Sequence, residues 1–140
     1  MRWLALVAAL MVGGCYTNME PTQAELRDRW EAQNVFPAGY KQDLLAFLRT
    51  YLNDPTRIRD AAVAPPTRKT IAPAPAERFV VCVRYRARKS DGNYGPSKDG
   101  AATFVSGKLD RYFDEPQKQV RELCKDVAFA PFPELEKLTR

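Results

Sequence analysis

The sequence predicts an α+β fold, an amphipathic helix packed on a small antiparallel sheet and stapled by a disulfide, and three observations carry that reading. Apolar residues recur at helical spacing over residues 40–53, they alternate at strand spacing over 79–88, and Cys82 and Cys124 form an even pair once Cys15 is set aside. A helix with one apolar stripe and a sheet with one apolar face each need a second layer to cover them, so the two elements predict one another.

The chain opens with Met1-Arg2, an uncharged and mostly apolar run over residues 3–12, and then Gly13-Gly14-Cys15. One basic residue, a short hydrophobic core and a small-residue cleavage context are the parts of an export signal. A membrane-spanning helix needs about 20 apolar residues, and this run stops at two glycines followed by the polar Tyr16-Thr17-Asn18. Val12-Gly13-Gly14-Cys15 resembles the lipobox of bacterial lipoproteins, whose cysteine is diacylated, exposed by cleavage of the signal and usually acylated again. The resemblance implies a signal peptide over 1–14 and a mature chain that begins at a lipid-bearing Cys15. Two or more acyl chains hold a protein stably at a bilayer, whereas a plain secretory signal with an incidental cysteine, the competing reading, leaves it untethered. In such lipoproteins an Asp after the cysteine often signals inner-membrane retention. Tyr16 stands there, which points to the outer membrane, facing the periplasm.

Removal of residues 1–14 leaves 126 of 140 residues and takes one charge, Arg2, from a formal net charge of +5, leaving +4. That length suits one domain with a modest core, placed over 40–140 and preceded by a segment over 15–39. The charge bias is mild, and in an envelope the anionic neighbours are headgroups and polysaccharides, so nucleic acid is not an expected partner. With Cys15 assigned to lipid, Cys82 and Cys124 are two thiols in an oxidising compartment and predict a disulfide. Closing a loop of about 43 residues stabilises the folded state by ~4 kcal/mol in the chain-entropy model. Two buried free thiols are the alternative; a metal site is poorer, because two cysteines without histidine make an incomplete ligand set.

Residues 15–39 read either as a tether or as an N-terminal helix. Thr22-Gln23-Ala24-Glu25 has the spacing of a capping box, with Leu26 and Trp30 on one side of a helix over 24–33, and Phe36-Pro37-Ala38-Gly39 ends whatever precedes it. Over 40–53, Tyr40, Leu44, Phe47, Leu48, Tyr51 and Leu52 share one helical face, and Pro55 closes the element. Residues 57–63 fit a short strand or a turn. The stretch 64–75, rich in proline and alanine, predicts an extended surface loop.

Phe79, Val81, Val83, Tyr85 and Ala87 form the core face of the strongest strand, and Val80, Cys82, Arg84, Arg86 and Arg88 the other. That second face starts apolar and turns basic, so one end is covered and the other solvated. Asp91-Gly92-Asn93 and Gly95-Pro96 mark a turn region. Residues 101–113 then predict a second strand, bulged at Gly107. A short helix over 117–125 turns Val120, Leu123 and Cys124 inward, 127–132 is extended, and Pro133 opens a closing helical turn.

Tyr40-Lys41-Gln42-Asp43-Leu44-Leu45, its continuation Arg49-Thr50-Tyr51-Leu52-Asn53-Asp54-Pro55-Thr56, and the closing Pro131-Phe132-Pro133-Glu134-Leu135 resemble parts of uncharacterised small lipoproteins of alphaproteobacteria, the rhizobial group in particular. The resemblance implies a Gram-negative envelope address and transfers no catalytic residue.

The chain has no histidine, which removes Ser-His and Cys-His nucleophile pairs and the common zinc ligand sets. Ser90, Ser97 and Ser106 with Lys98 or Lys108 as base lack an oxyanion motif. Asp110, Asp114 and Glu115 as a glycan-cleaving acid and base compete poorly with exposed carboxylates at a strand end, and Asp91-Gly92-Asn93 as a calcium loop lacks its closing carboxylate near Ala102. The reading is therefore non-catalytic and without cofactor or metal: a lipid-anchored structural or adaptor protein of the envelope. The alternative is a binding module for an anionic lipid, polysaccharide or acidic protein patch, carried by Arg84, Arg86 and Arg88 and extended by Lys89 and Lys98. Guanidinium groups suit bidentate recognition of phosphate or carboxylate. A solvated strand face with Asp110 or another acid nearby is the plainer account of the same residues, and an envelope hydrolase is a third function class.

Overall fold

The computed structural model describes residues 19–71 and 76–139. The expected signal peptide over 1–14 and the expected lipidation residue Cys15 lie outside the described residues, as do Pro73-Ala74-Pro75 of the expected loop. The described chain is α+β: helices α1 (Gln23–Ala32), α2 (Tyr40–Tyr51), α3 (Lys118–Leu123) and α4 (Pro133–Glu136), and strands β1 (Arg59–Val63), β2 (Thr67–Ile71), β3 (Ala76–Arg86), β4 (Lys98–Val105), β5 (Lys108–Asp114) and β6 (Ala130–Pro131). The six strands make one antiparallel sheet in the order β5-β4-β3-β1-β6, with β2 also paired to β3.

The long strand β3 organises the sheet. Along one edge it pairs with β4 over Phe79 to Tyr85; along the other its first half takes β2 and its second half takes β1. Alternation then assigns its residues to two faces. Val81, Val83 and Tyr85 join Leu44 and Leu48 of α2, Ala102 and Phe104 of β4, and Phe132, Leu135 and Leu138 in the larger core. Val80 and Cys82 meet Ala101, Val120, Leu123 and Cys124 under α3 in the smaller one. Cys82 and Cys124 are joined as a disulfide, their Cα atoms 5.7 Å apart.

Two elements differ from the sequence reading. The stretch 64–75 is not wholly loop, because Thr67–Ile71 forms β2, paired with β3 from Thr67 opposite Val80 to Ile71 opposite Ala76. The β-branched Thr67, Thr70 and Ile71 suit a pleated strand, and Pro65 and Pro66 stand before the ladder, where no hydrogen bond is lost. This partner also extends β3 back to Ala76. Residues 101–113 are not one bulged strand but two, β4 and β5, reversed at Ser106-Gly107, which have φ of 51° and 75°. A two-residue turn with both residues left-handed matches the twist of an antiparallel pair, so Gly107 turns the chain rather than bulging it.

Helix α1 carries the expected capping box: the Glu25 amide donates to Thr22 Oγ1 at 3.2 Å and the Thr22 amide to Glu25 Oε2 at 2.8 Å. The Thr22 amide, and after it the Thr22 hydroxyl, donate to the Glu25 carboxyl and hold it below its usual range. None of its residues is buried. Polar contacts hold it instead: Arg68 of β2 bonds both Glu31 oxygens at 2.9 and 3.0 Å, and Arg78 of β3 donates to the Trp30 carbonyl at 3.2 Å. Helix α2 buries Leu44 and Leu48, and Asp43 on its first turn accepts from the Leu109 amide of β5 at 3.3 Å.

Candidate functional site

The basic row runs off the end of β3, with Arg84 and Arg86 in the ladder and Arg88 just beyond it, and each guanidinium meets its own carboxylate. Arg84 stands opposite Asp99 in the ladder and bonds it with Nε at 2.6 Å and Nη2 at 2.9 Å, while its plane lies 4.2 Å from the centre of the Phe129 ring. The Asp99 hydrogen bond raises the Arg84 pKa further. Arg86 reaches Asp60 at 3.3 Å and the Gly95 carbonyl at 3.1 Å. Arg88 donates twice to Asp54 Oδ2, at 2.9 and 2.7 Å. The Thr56 hydroxyl first, then Arg88 and the Thr56 amide, hold the Asp54 carboxyl far below the ordinary carboxylate range.

Asp110, the acid that the sequence suggested beside this row, lies instead near Arg111 at 3.6 Å. The actual partners come from three connections: the turn after α2 (Asp54), the start of β1 (Asp60) and the start of β4 (Asp99). Only Asp99 follows from simple hairpin counting, and only once the turn length between β3 and β4 is known.

A cleft of about 600 Å³ opens beside the third pair, between the end of α2 and the β3–β4 connection. Tyr51, Tyr85, Asp114, Asp54, Arg88, Lys89 and Lys98 are among the residues that line it. Tyr51 Oη donates to Asp114 Oδ2 at 2.7 Å, and the Tyr85 and Tyr112 hydroxyls are 3.3 Å apart. The Asp114 hydrogen bond, with burial, pushes the Tyr51 phenol up to about 12, so it stays protonated and donating at neutral pH. Burial raises the Tyr85 and Tyr112 phenols as well. Gly100 makes the packing possible, because a Cβ there would collide with the Tyr112 hydroxyl. The sequence places Tyr85 on the core face and Tyr51 on the helical stripe, but the meeting of Tyr51 with Asp114 and of Tyr85 with Tyr112 depends on the β4–β5 hairpin.

The remaining candidates disperse. Asp110, Asp114 and Glu115 have separate partners, Arg111, Tyr51 and the Asp99 amide, and Lys108 faces Asp43 at 3.6 Å. Asp91 accepts from the Asn93 amide at 2.9 Å, a local turn bond. Among the described residues no three metal-ligating side chains converge, and no helix is long and apolar enough to cross a membrane. A scan against protein-family models, a search of curated proteins and a search of solved structures each found no match to this chain.

Proposed function

We propose that this chain is a lipid-anchored protein of the bacterial envelope, held through acyl chains on Cys15 at the outer membrane and facing the periplasm, with a non-catalytic structural or adaptor role. The observation that carries the reading is the Cys82–Cys124 disulfide. Such bridges persist in oxidising compartments outside the cytosol, and this one consumes both cysteines other than that of the lipobox-like Val12-Gly13-Gly14-Cys15. The absence of histidine and the commitment of Asp54 and Asp99 to arginine partners support a role without catalysis. A general acid needs a carboxyl whose pKa is raised, and Asp54, on the cleft, is held in the opposite direction.

The anionic-ligand alternative through Arg84, Arg86 and Arg88 is weakened by the same pairs, since a ligand would have to displace a carboxylate already in bonding position at each guanidinium. Mass spectrometry of the N-terminal peptide from envelope material tests the leading reading. The expected result is a peptide starting at Cys15 with fatty acyl mass added, lost in Cys15→Ser. A bare thiol on a peptide that still carries Met1 would overturn it. Crosslinking in intact envelopes should then capture a protein neighbour; capture of glycan or lipid alone would favour the binding-module alternative.

A further inference from the structure

The cations that are matched and those that are not divide cleanly around the cleft. Arg88 and Asp54 cancel each other there, while Lys89 and Lys98 line the same space and neither has a carboxylate partner among the described residues. Asp114 is the one remaining acid of the lining, and Tyr51 already donates to it. Both Asp54 oxygens are likewise engaged, Oδ1 by Thr56 and Oδ2 by Arg88. The Gly95 carbonyl accepts from Arg86.

What remains for a ligand includes two ammonium groups and the exposed Asn53 carboxamide, beside Leu52, Ala87 and Pro96. Ligand pockets span roughly 300 to 1,000 Å³, and this cleft falls in that range. Gly95 keeps the Lys89 arm close to the wall, because a Cβ there would lie 3.0 Å from Lys89 Cε. Lysine acts as a compact point charge with three rotatable donors and is a common phosphate contact.

We propose that this cleft is a binding site for an organic phosphate, a phosphoryl group carried on a small polyol or sugar, with Lys89 and Lys98 as its charge contacts and Asn53 as a neutral donor. The same phosphoryl chemistry comes either as a free phosphorylated polyol or as a phospholipid headgroup. The site does not depend on the lipid anchor, since every group in it belongs to the described body.

The test is isothermal titration of the full processed chain, purified from envelopes in non-ionic detergent, with glycerol 3-phosphate as the probe. Saturable binding is expected, weakened at least about tenfold in the double variant Lys89→Gln/Lys98→Gln and unchanged in Lys118→Gln/Lys125→Gln, which removes the same charge from the surface around α3. Both lysines of the cleft are exposed, so an unchanged melting curve should accompany the loss. No saturation up to about 10 mM probe, or equal weakening in both double variants, overturns the site. Mixed micelles containing phosphatidylglycerol identify the source: engagement that free glycerol 3-phosphate displaces assigns the site to a headgroup, and binding of the free probe with no engagement of the micelles assigns it to a soluble ligand.

Discussion

On one face of the sheet, thirteen buried residues of the described chain, among them Leu44, Leu48, Phe104, Phe132 and Leu135, close the core by apolar packing of α2 and α4. On the other, seven do so, and two of these are alanines and two the bridged cysteines. Of those seven, only Val80, Val120 and Leu123 are larger aliphatic residues, with Ile71, Phe113, Val127 and Phe129 partly buried against them. Apolar burial stabilises by roughly 25 cal/mol per Å², so the first face draws more on packing, whereas the second offers the six-residue helix α3 less to bury. A covalent link between β3 and the end of α3 does there what side-chain volume does opposite.

The comparison predicts different responses to covalent and packing changes. The largest effect is expected from Cys82→Ala/Cys124→Ala, about 4 kcal/mol of global stability by the loop-closure argument, read by chemical denaturation. Amide exchange should show α3 losing protection before α2. Equal loss of protection in both helices would break the contrast between the two faces. Leu48→Ala follows, at roughly 3 kcal/mol, since its side chain is fully buried in the larger core. Combining it with removal of the bridge should give a loss close to the sum of the two, because the sites lie on opposite faces and share no contact cluster.

Gly100→Ala should cost roughly 1–3 kcal/mol, because the added methyl must displace the Tyr112 phenol from the larger core. A Tyr112→Phe background should recover part of that loss. Thr22→Ala should cost ~1 kcal/mol or less of α1 helicity and leave both cores untouched, as α1 buries no residue. The smallest effect concerns acid. The folded carboxyl of Asp54 lies below its ordinary value of 3.8, so the stability it contributes is complete above that pH and declines as pH falls below it. A melting series through acid should show this decline in the wild type and less of it in Arg88→Gln.

Periodicity made the long elements legible. Helical spacing located α2 within two residues of its end, strand alternation assigned Val81, Val83 and Tyr85 to one core and Val80 and Cys82 to the other, and Thr22 with Glu25 marked the start of α1. Composition misled where it overrode pattern. The prolines around residues 64–75 masked the β-branched Thr67, Thr70 and Ile71, and Gly107, expected as a bulge, is the second residue of the turn at Ser106-Gly107. Those two strands set the rest, because β2 decides where β3 begins and the β4–β5 hairpin brings Tyr112 and Asp114 to Tyr51.

From the order of residues alone came the α+β class, the two-faced strand at the centre of the sheet, the pairing of Cys82 with Cys124 and the gathering of three arginines on one side of that strand. These are local or parity properties: side-chain spacing along a regular backbone, and an even number of cysteines once one is set aside. Which acid answers each arginine, and which cations are left over to line the cleft, was decided only in three dimensions. Asp54, Asp60 and Asp99 lie 34, 26 and 15 residues from Arg88, Arg86 and Arg84, and charges so far apart in the chain meet only after the packing of α2 and the strand register have fixed where each connection runs.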